Sequence, residues 1–162
     1  MRTATFHETT VIDRPAAEVW ALVADYDVDP HWRKGVSAMN AQPPGLVRTG
    51  TTALEVLRFA GRTYRIPGEV MGVRAGHSFD WNASKARGTR RVESVDESRC
   101  MVELTMHVRL HGAERVFGRL LARMMRNTLI GDLGRLSDLA RAQPQGAVHP
   151  ASGAGGCANA QA

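Results

Sequence analysis

The chain has 162 residues, 43% hydrophobic and 23% charged, which suits one globular domain with a sizeable core. No apolar run approaches the roughly 20 residues of a membrane span, and the opening MRTATFHETT lacks the apolar core of a signal peptide, so a cytoplasmic protein is expected. The formal charge of +5 comes almost wholly from arginine, Lys34 and Lys85 being the only lysines, and aromatic residues do not interleave with the arginines as a base-stacking nucleic-acid platform requires.

Thr3 to Ile12, rich in threonine and β-branched residues, is expected as a strand. Pro15 suits the first turn of a helix over Ala16 to Ala24, whose Val19, Trp20 and Val23 make an apolar docking face. Asp25 to Lys34 (DYDVDPHWRK) is a turn-rich link into a second short helix near Pro30, with Trp32 either plugging the core or forming one lip of a pocket. Val36 to Ala41 is expected as a short strand and Gln42 to Gly50 as a loop.

From there the sequence predicts a succession of strands: Thr51 to Phe59, Arg62 to Val73, His77 to Ser84, Thr89 to Val95 and Arg99 to Leu110. Their short connections imply neighbouring antiparallel partners. Pro67 and Gly68 are expected to interrupt the second of these strands and bend the sheet. Period-two alternation turns Cys100, Val102, Leu104, Met106, Val108 and Leu110 inward. It likewise turns in Phe79 with Trp81, Leu54 with Val56, and Tyr64 with Ile66, and puts Arg90 in a row with Val92, at the rim or inside.

Ala113 to Ala142 is expected as one long amphipathic helix. At about 100° per residue, Phe117, Leu120, Leu121, Met124 and Thr128 share one side, while Arg115, Arg119, Arg123 and Arg126 make a basic stripe opposite, a solvated face or a weak contact for anionic membrane. Beyond Thr128 the apolar residues move round to Leu129, Leu133, Leu136 and Leu139, so that the helix either bends at Gly131 and Gly134 or packs its two halves on different surroundings. Gln143 to Ala162, made largely of glycine, alanine and proline, is expected as a mobile tail outside the ligand-binding domain of residues 1–142.

The order of elements, with VIDRPAAEVW at Val11 to Trp20, Trp32 after an aspartate-rich link, and RGTRRVESV at Arg87 to Val95, resembles the START-like helix-grip superfamily (SRPBCC), especially its polyketide cyclase/dehydrase and lipid-transport branch. The resemblance implies an α+β fold in which a curved antiparallel sheet wraps a long C-terminal helix around a deep, mostly apolar cavity. It implies binding or carriage of a small hydrophobic molecule (a lipid, polyketide or quinone), with a polyketide cyclase, aromatase or dehydrase as the alternative and a membrane-surface or protein-interaction module as a second. The expected ligand-binding residues are Trp32, Leu54, Val56, Tyr64, Phe79, Trp81, Val92, Met106, Phe117, Leu121 and Met124.

Catalytic chemistry has fewer signals. No G-x-S-x-G elbow or P-loop is present, and no cofactor is expected. His107 and His111, four apart on a strand, would lie roughly 13 Å apart, too far to share a metal ion, so no metal is expected either. Cys100 falls in an inward apolar row, where burial makes a thiol inert; it and Cys157 are expected as free thiols. The weak catalytic candidates are Tyr64, as a hydrogen-bond donor to a ligand carbonyl, and Arg90, as a stabiliser of an enolate or phenolate. Against them stand a core tyrosine with its hydroxyl at the surface and an arginine at the rim.

Overall fold

The computed structural model describes residues 2–59, 61–110 and 118–144. Strand β1 (Arg2–Ile12) runs through a turn into α1 (Ala16–Val23), followed by a 3-10 turn (Tyr26–Val28) and the single-turn α2 (Asp29–Trp32). Six strands follow: β2 (Val36–Gln42), β3 (Thr52–Phe59), β4 (Arg62–Arg74), β5 (Ser78–Ala83), β6 (Ala86–Ser94) and β7 (Cys100–Leu110). The described part of the last helix, α3, is Gly118–Ala142.

All strand pairs are antiparallel, in one seven-stranded sheet of order β1-β7-β6-β5-β4-β3-β2. The short turns make β2 to β7 a meander, and β1 joins beside β7 in an unbroken register from Arg2↔Leu110 to Ile12↔Cys100. Gly35 enters β2 at a φ of +93°; its carbonyl accepts from Arg58 N at 2.7 Å, and a Cβ there would sit 2.7 Å from the Arg58 carbonyl, so only glycine fits.

The core fills one half of the concave face. Ile12, Val70, Phe79, Val92, Cys100 and Val102 from the sheet meet Val19, Trp20 and Val23 of α1, Tyr26 and Trp32 of the link, and Leu133, Leu136 and Ala140 of α3. The described helix runs unbroken through Gly131 and Gly134.

Three expectations at the level of the strands are corrected. Pro67 stays within β4, and the bulge falls at Met71, between the pairs of Val70 and Gly72. Val70 donates to Thr51 O (2.8 Å), so by alternation the missing N–H of Pro67 points to the β5 side, past the last β4–β5 pair Gly68↔Ala83, where no ladder bond is lost. β6 begins at Ala86, which makes Gly88 a strand residue opposite Trp81. Leu54 and Val56 turn to the convex face. Ala53 and Leu57 pack on the core, and Glu55 between them is turned inward to meet Arg33, a half-buried charge that alternation of hydrophobicity cannot anticipate.

Candidate functional site

The closed half of the concave face is held by an ionic cluster. Asp29, fully buried on α2, accepts from Arg90 of β6 at 2.7 and 2.6 Å and from Arg33 at 2.9 Å. Arg90 also donates to Val23 O at 3.1 Å, and its guanidinium lies 5.3, 5.1 and 5.4 Å from the ring centres of Tyr26, Trp32 and Phe79. Arg33, one helical turn beyond Asp29, reaches back to Glu55 of β3 at 3.0 and 3.3 Å. Burial works against the charge on Arg33, but Glu55 and Asp29 outweigh it and raise its pKa. Burial pushes the Tyr26 hydroxyl up to about 12, against the pull of the nearby Arg90.

Polar contacts also fix the second half of α3. Asp132 accepts from Lys34 N at 2.9 Å and pairs with Arg135, which donates through Nε to Trp32 O at 2.9 Å. Burial raises the Asp132 pKa, partly offset by the Lys34 amide and the arginines. The buried Arg14 donates to the carbonyls of Arg141 (2.8 Å) and Gln143 (2.6 Å), satisfying C-terminal acceptors of the helix. Nearer its start, Arg126 reaches Glu8 of β1 at 2.9 Å.

These anchors set the rotation of α3. Ala122, Met125, Leu129, Leu133, Leu136 and Ala140 fall within about 80° of one another at 100° per residue and form its buried or half-buried line. On the same wheel Thr128, Met124 and Leu120 lie roughly 100°, 140° and 180° from the middle of that line, which turns Met124 and Leu120 away from the sheet. Leu120 is 59% and Met124 39% exposed. On the concave face, Leu57, Ile66, Trp81 and Met106 are half-buried and Tyr64 is 41% exposed. The strand pairs Leu57↔Tyr64 and Gly88↔Met106 show these residues sharing one face, and Trp81, paired with Gly88, shares it too. A Cβ on Gly88 would come 2.8 Å from the Trp81 ring and 2.1 Å from Thr105 O, so the missing side chain is what lets the indole sit against this strand.

The residues singled out from sequence therefore separate into groups. Tyr64, Trp81 and Met106 share the open concave wall, whereas Met124 is turned away from the sheet on the helix. Trp32, Phe79 and Val92 sit in the closed core, each no more than 1% exposed, and the Trp32 indole N–H is buried without a hydrogen-bond partner among the described residues. Leu54 and Val56 are on the convex side. Phe117 lies outside the described residues, as does the side chain of Leu121. Arg90 is inside rather than at the rim, with its charge neutralised by Asp29; it organises the core and has no free charge to offer a ligand enolate. Cys100 is buried, and burial pushes its thiol up to about 11, which removes it as a nucleophile. Sequence reasoning missed Asp29, Arg33 and Glu55; the Asp29-to-Arg33 spacing of four was their one visible signal. It missed Leu57 through the inverted face of β3.

Residues 3–141 match the family described as polyketide cyclase / dehydrase and lipid transport. The chain belongs to this family. Its fold is the START-like (SRPBCC) helix grip, as in an aromatase/cyclase, ZhuI, from Streptomyces sp. R1128 (TM-score 0.71, 14% identity, 86% of this chain and 94% of that one). A protein from Thermus thermophilus superposes with a TM-score of 0.73 at 16% identity, over 86% of this chain and 98% of the other. Norcoclaurine synthase from Thalictrum flavum, in complex with dopamine and hydroxybenzaldehyde, does so at 0.64 and 11%, over 89% and 90%. At such identities the likeness is one of fold. No curated protein sequence matches the chain. No helix among the described residues is long and apolar enough to cross a membrane.

Proposed function

We propose that this member of the polyketide cyclase / dehydrase and lipid transport family binds or carries a small hydrophobic molecule, held between the open half of the concave sheet and the first half of α3. The observation that carries the reading is the half-buried apolar wall of Leu57, Ile66, Trp81 and Met106 on the concave face. Side chains left this exposed on a concave face are a surface that gains by being covered. Covering about 300 Å2 of apolar ligand surface at about 25 cal/mol per Å2 contributes on the order of 7 kcal/mol before association costs, so no charged anchor is required. Trp81, seated against Gly88, suits a ring. A cytoplasmic setting is part of this reading, supported by the unpaired, buried Cys100.

A cyclase or dehydrase activity is the second reading, favoured by the Tyr64 hydroxyl on the same wall, where it could donate to a ligand carbonyl. Loss of turnover in Tyr64→Phe with binding retained would separate enzyme from carrier.

The binding site is tested with two adjacent substitutions on opposite faces of β3. Leu57→Asp places a charge on the proposed wall and Val56→Asp places one on the convex side. Displacement of an environment-sensitive naphthalene probe by hydrophobic ligands should weaken at least about tenfold in Leu57→Asp and stay near the parent in Val56→Asp. Equal effects of the two, with both proteins folded by circular dichroism, would contradict the proposal.

A further inference from the structure

The convex face of β1, β7, β6 and β5 is charge-balanced at one end and not at the other. At the balanced end Arg91 lies 3.8 and 3.9 Å from Glu93 and Glu103, His7 lies 3.4 Å from Glu103, and Asp80 accepts from Thr89. At the other end Arg87 and His107 are directly opposite each other in the β6–β7 ladder, with Asn82 beside Arg87 on β5 and Arg109 two residues along β7 from His107. Two basic side chains in direct cross-strand register repel whenever both are charged, an arrangement that works against the sheet itself. No carboxylate among the described residues lines the cleft of about 250 Å3 that opens here between Thr3, Asn82, Ala86, Arg87, His107 and Arg109.

The groups are aimed as well as gathered. Arg109 donates from one guanidinium nitrogen to Ser84 O at 3.1 Å, which ties it to the β5–β6 turn beside the cleft. His107 Nδ1 is engaged by Thr5 Oγ1 at 3.0 Å, leaving Nε2 as the ring nitrogen without a partner among the described residues. Arg87 has no ion-pair or hydrogen-bond partner for its side chain there.

We propose that this cleft binds phosphate, either as the free anion or as a monoester headgroup. Two guanidinium forks, an amide, an imidazole and a hydroxyl offer more donors than the two oxygens of a carboxylate accept, whereas the three or four oxygens of a phosphate match them. The site is on the opposite side of the sheet from the apolar wall and stands or falls separately from it.

The full chain, labelled with 15N, is titrated with inorganic phosphate and with sodium chloride at matched ionic strength, alongside Arg87→Gln and Arg109→Gln. In parallel, binding to phosphatidylcholine vesicles with and without phosphatidic acid is measured by flotation. The expected result is saturable amide shifts at Thr3, Asn82, Arg87, His107 and Arg109 with phosphate but not chloride, weakened by about tenfold or more in each variant. Phosphate binding in solution without vesicle association identifies a free phosphate ligand; association with phosphatidic acid vesicles that both variants lose identifies a headgroup. Phosphate and phosphatidic acid that act no differently from chloride and phosphatidylcholine, or variants that are folded and bind like the parent, would overturn the proposal.

Discussion

Replacing Asp29 by asparagine keeps the shape of the side chain and removes the charge on which Arg90 depends. Arg90 is 6% exposed and Asp29 fully buried, so water cannot solvate the stranded guanidinium, while Arg33 keeps Glu55 as its other partner. Breaking a buried pair from one side costs about 3–5 kcal/mol. At about 2–4 °C per kcal/mol for a chain of this size, the melting temperature should fall by roughly 6–20 °C. Replacing both members together, Asp29→Asn with Arg90→Met, removes the unpaired charge, places a flexible apolar chain among Tyr26, Trp32 and Phe79, and should recover more than half of the loss. Thermal and urea unfolding followed by circular dichroism measure both effects. Because Arg90 organises the core and is not a ligand anchor, the double variant should also keep its affinity for a hydrophobic probe. The reasoning is refuted if Asp29→Asn melts within about 1 kcal/mol of the parent, or if the double variant is no more stable than the single one.

Alkaline stability should depend on Tyr26. Its folded-state pKa is raised from 10.0 to about 12, so the folded chain holds this proton more tightly than the unfolded one; the contribution is intact below pH 10 and lost as the pH rises towards 12. That loss is on the order of 2–3 kcal/mol, and unfolding curves between pH 9 and pH 12 should fall by about that much more in the parent than in Tyr26→Phe, both sharing the separate alkaline loss from the raised Cys100 thiol. Gly88→Ala should cost about 1–3 kcal/mol and change tryptophan fluorescence, because the added Cβ meets Thr105 O and the Trp81 ring; an unchanged melting curve and spectrum would count against the placement of Trp81. With Cys157 replaced by serine, the buried Cys100 should react with a thiol reagent only as the chain unfolds, and rapid native labelling would show that the thiol is accessible.

The order and type of elements were legible because long apolar patterns and short turns carry them: the alternating row from Cys100 to Leu110 and the periodic helix ending at Ala142 survive errors of a residue or two. Faces were legible only where the pattern was unambiguous. Trp81, Tyr64 and Met106 fall on the concave face as expected, whereas β3 reads inverted because Glu55 is buried against an arginine from a different element. Arg90 illustrates the same limit. An arginine in an apolar row is informative about function only when its partner is known, and Asp29, 61 positions earlier in the chain, is brought to it by the fold. The drift of apolar residues around α3 was legible, but where each face points depends on contacts such as Arg135 to Trp32 O and Arg126 to Glu8, which fix the rotation of the helix.

The most direct test of hydrophobic-ligand binding on the concave wall is native mass spectrometry of the full chain and of Leu57→Asp after incubation with an equimolar panel of a fatty acid, a quinone and an aromatic polyketide. A one-to-one complex with at least one of them in the parent, lost in the variant, is the predicted result. Retention of none, or retention to the same degree by both proteins, would contradict the account.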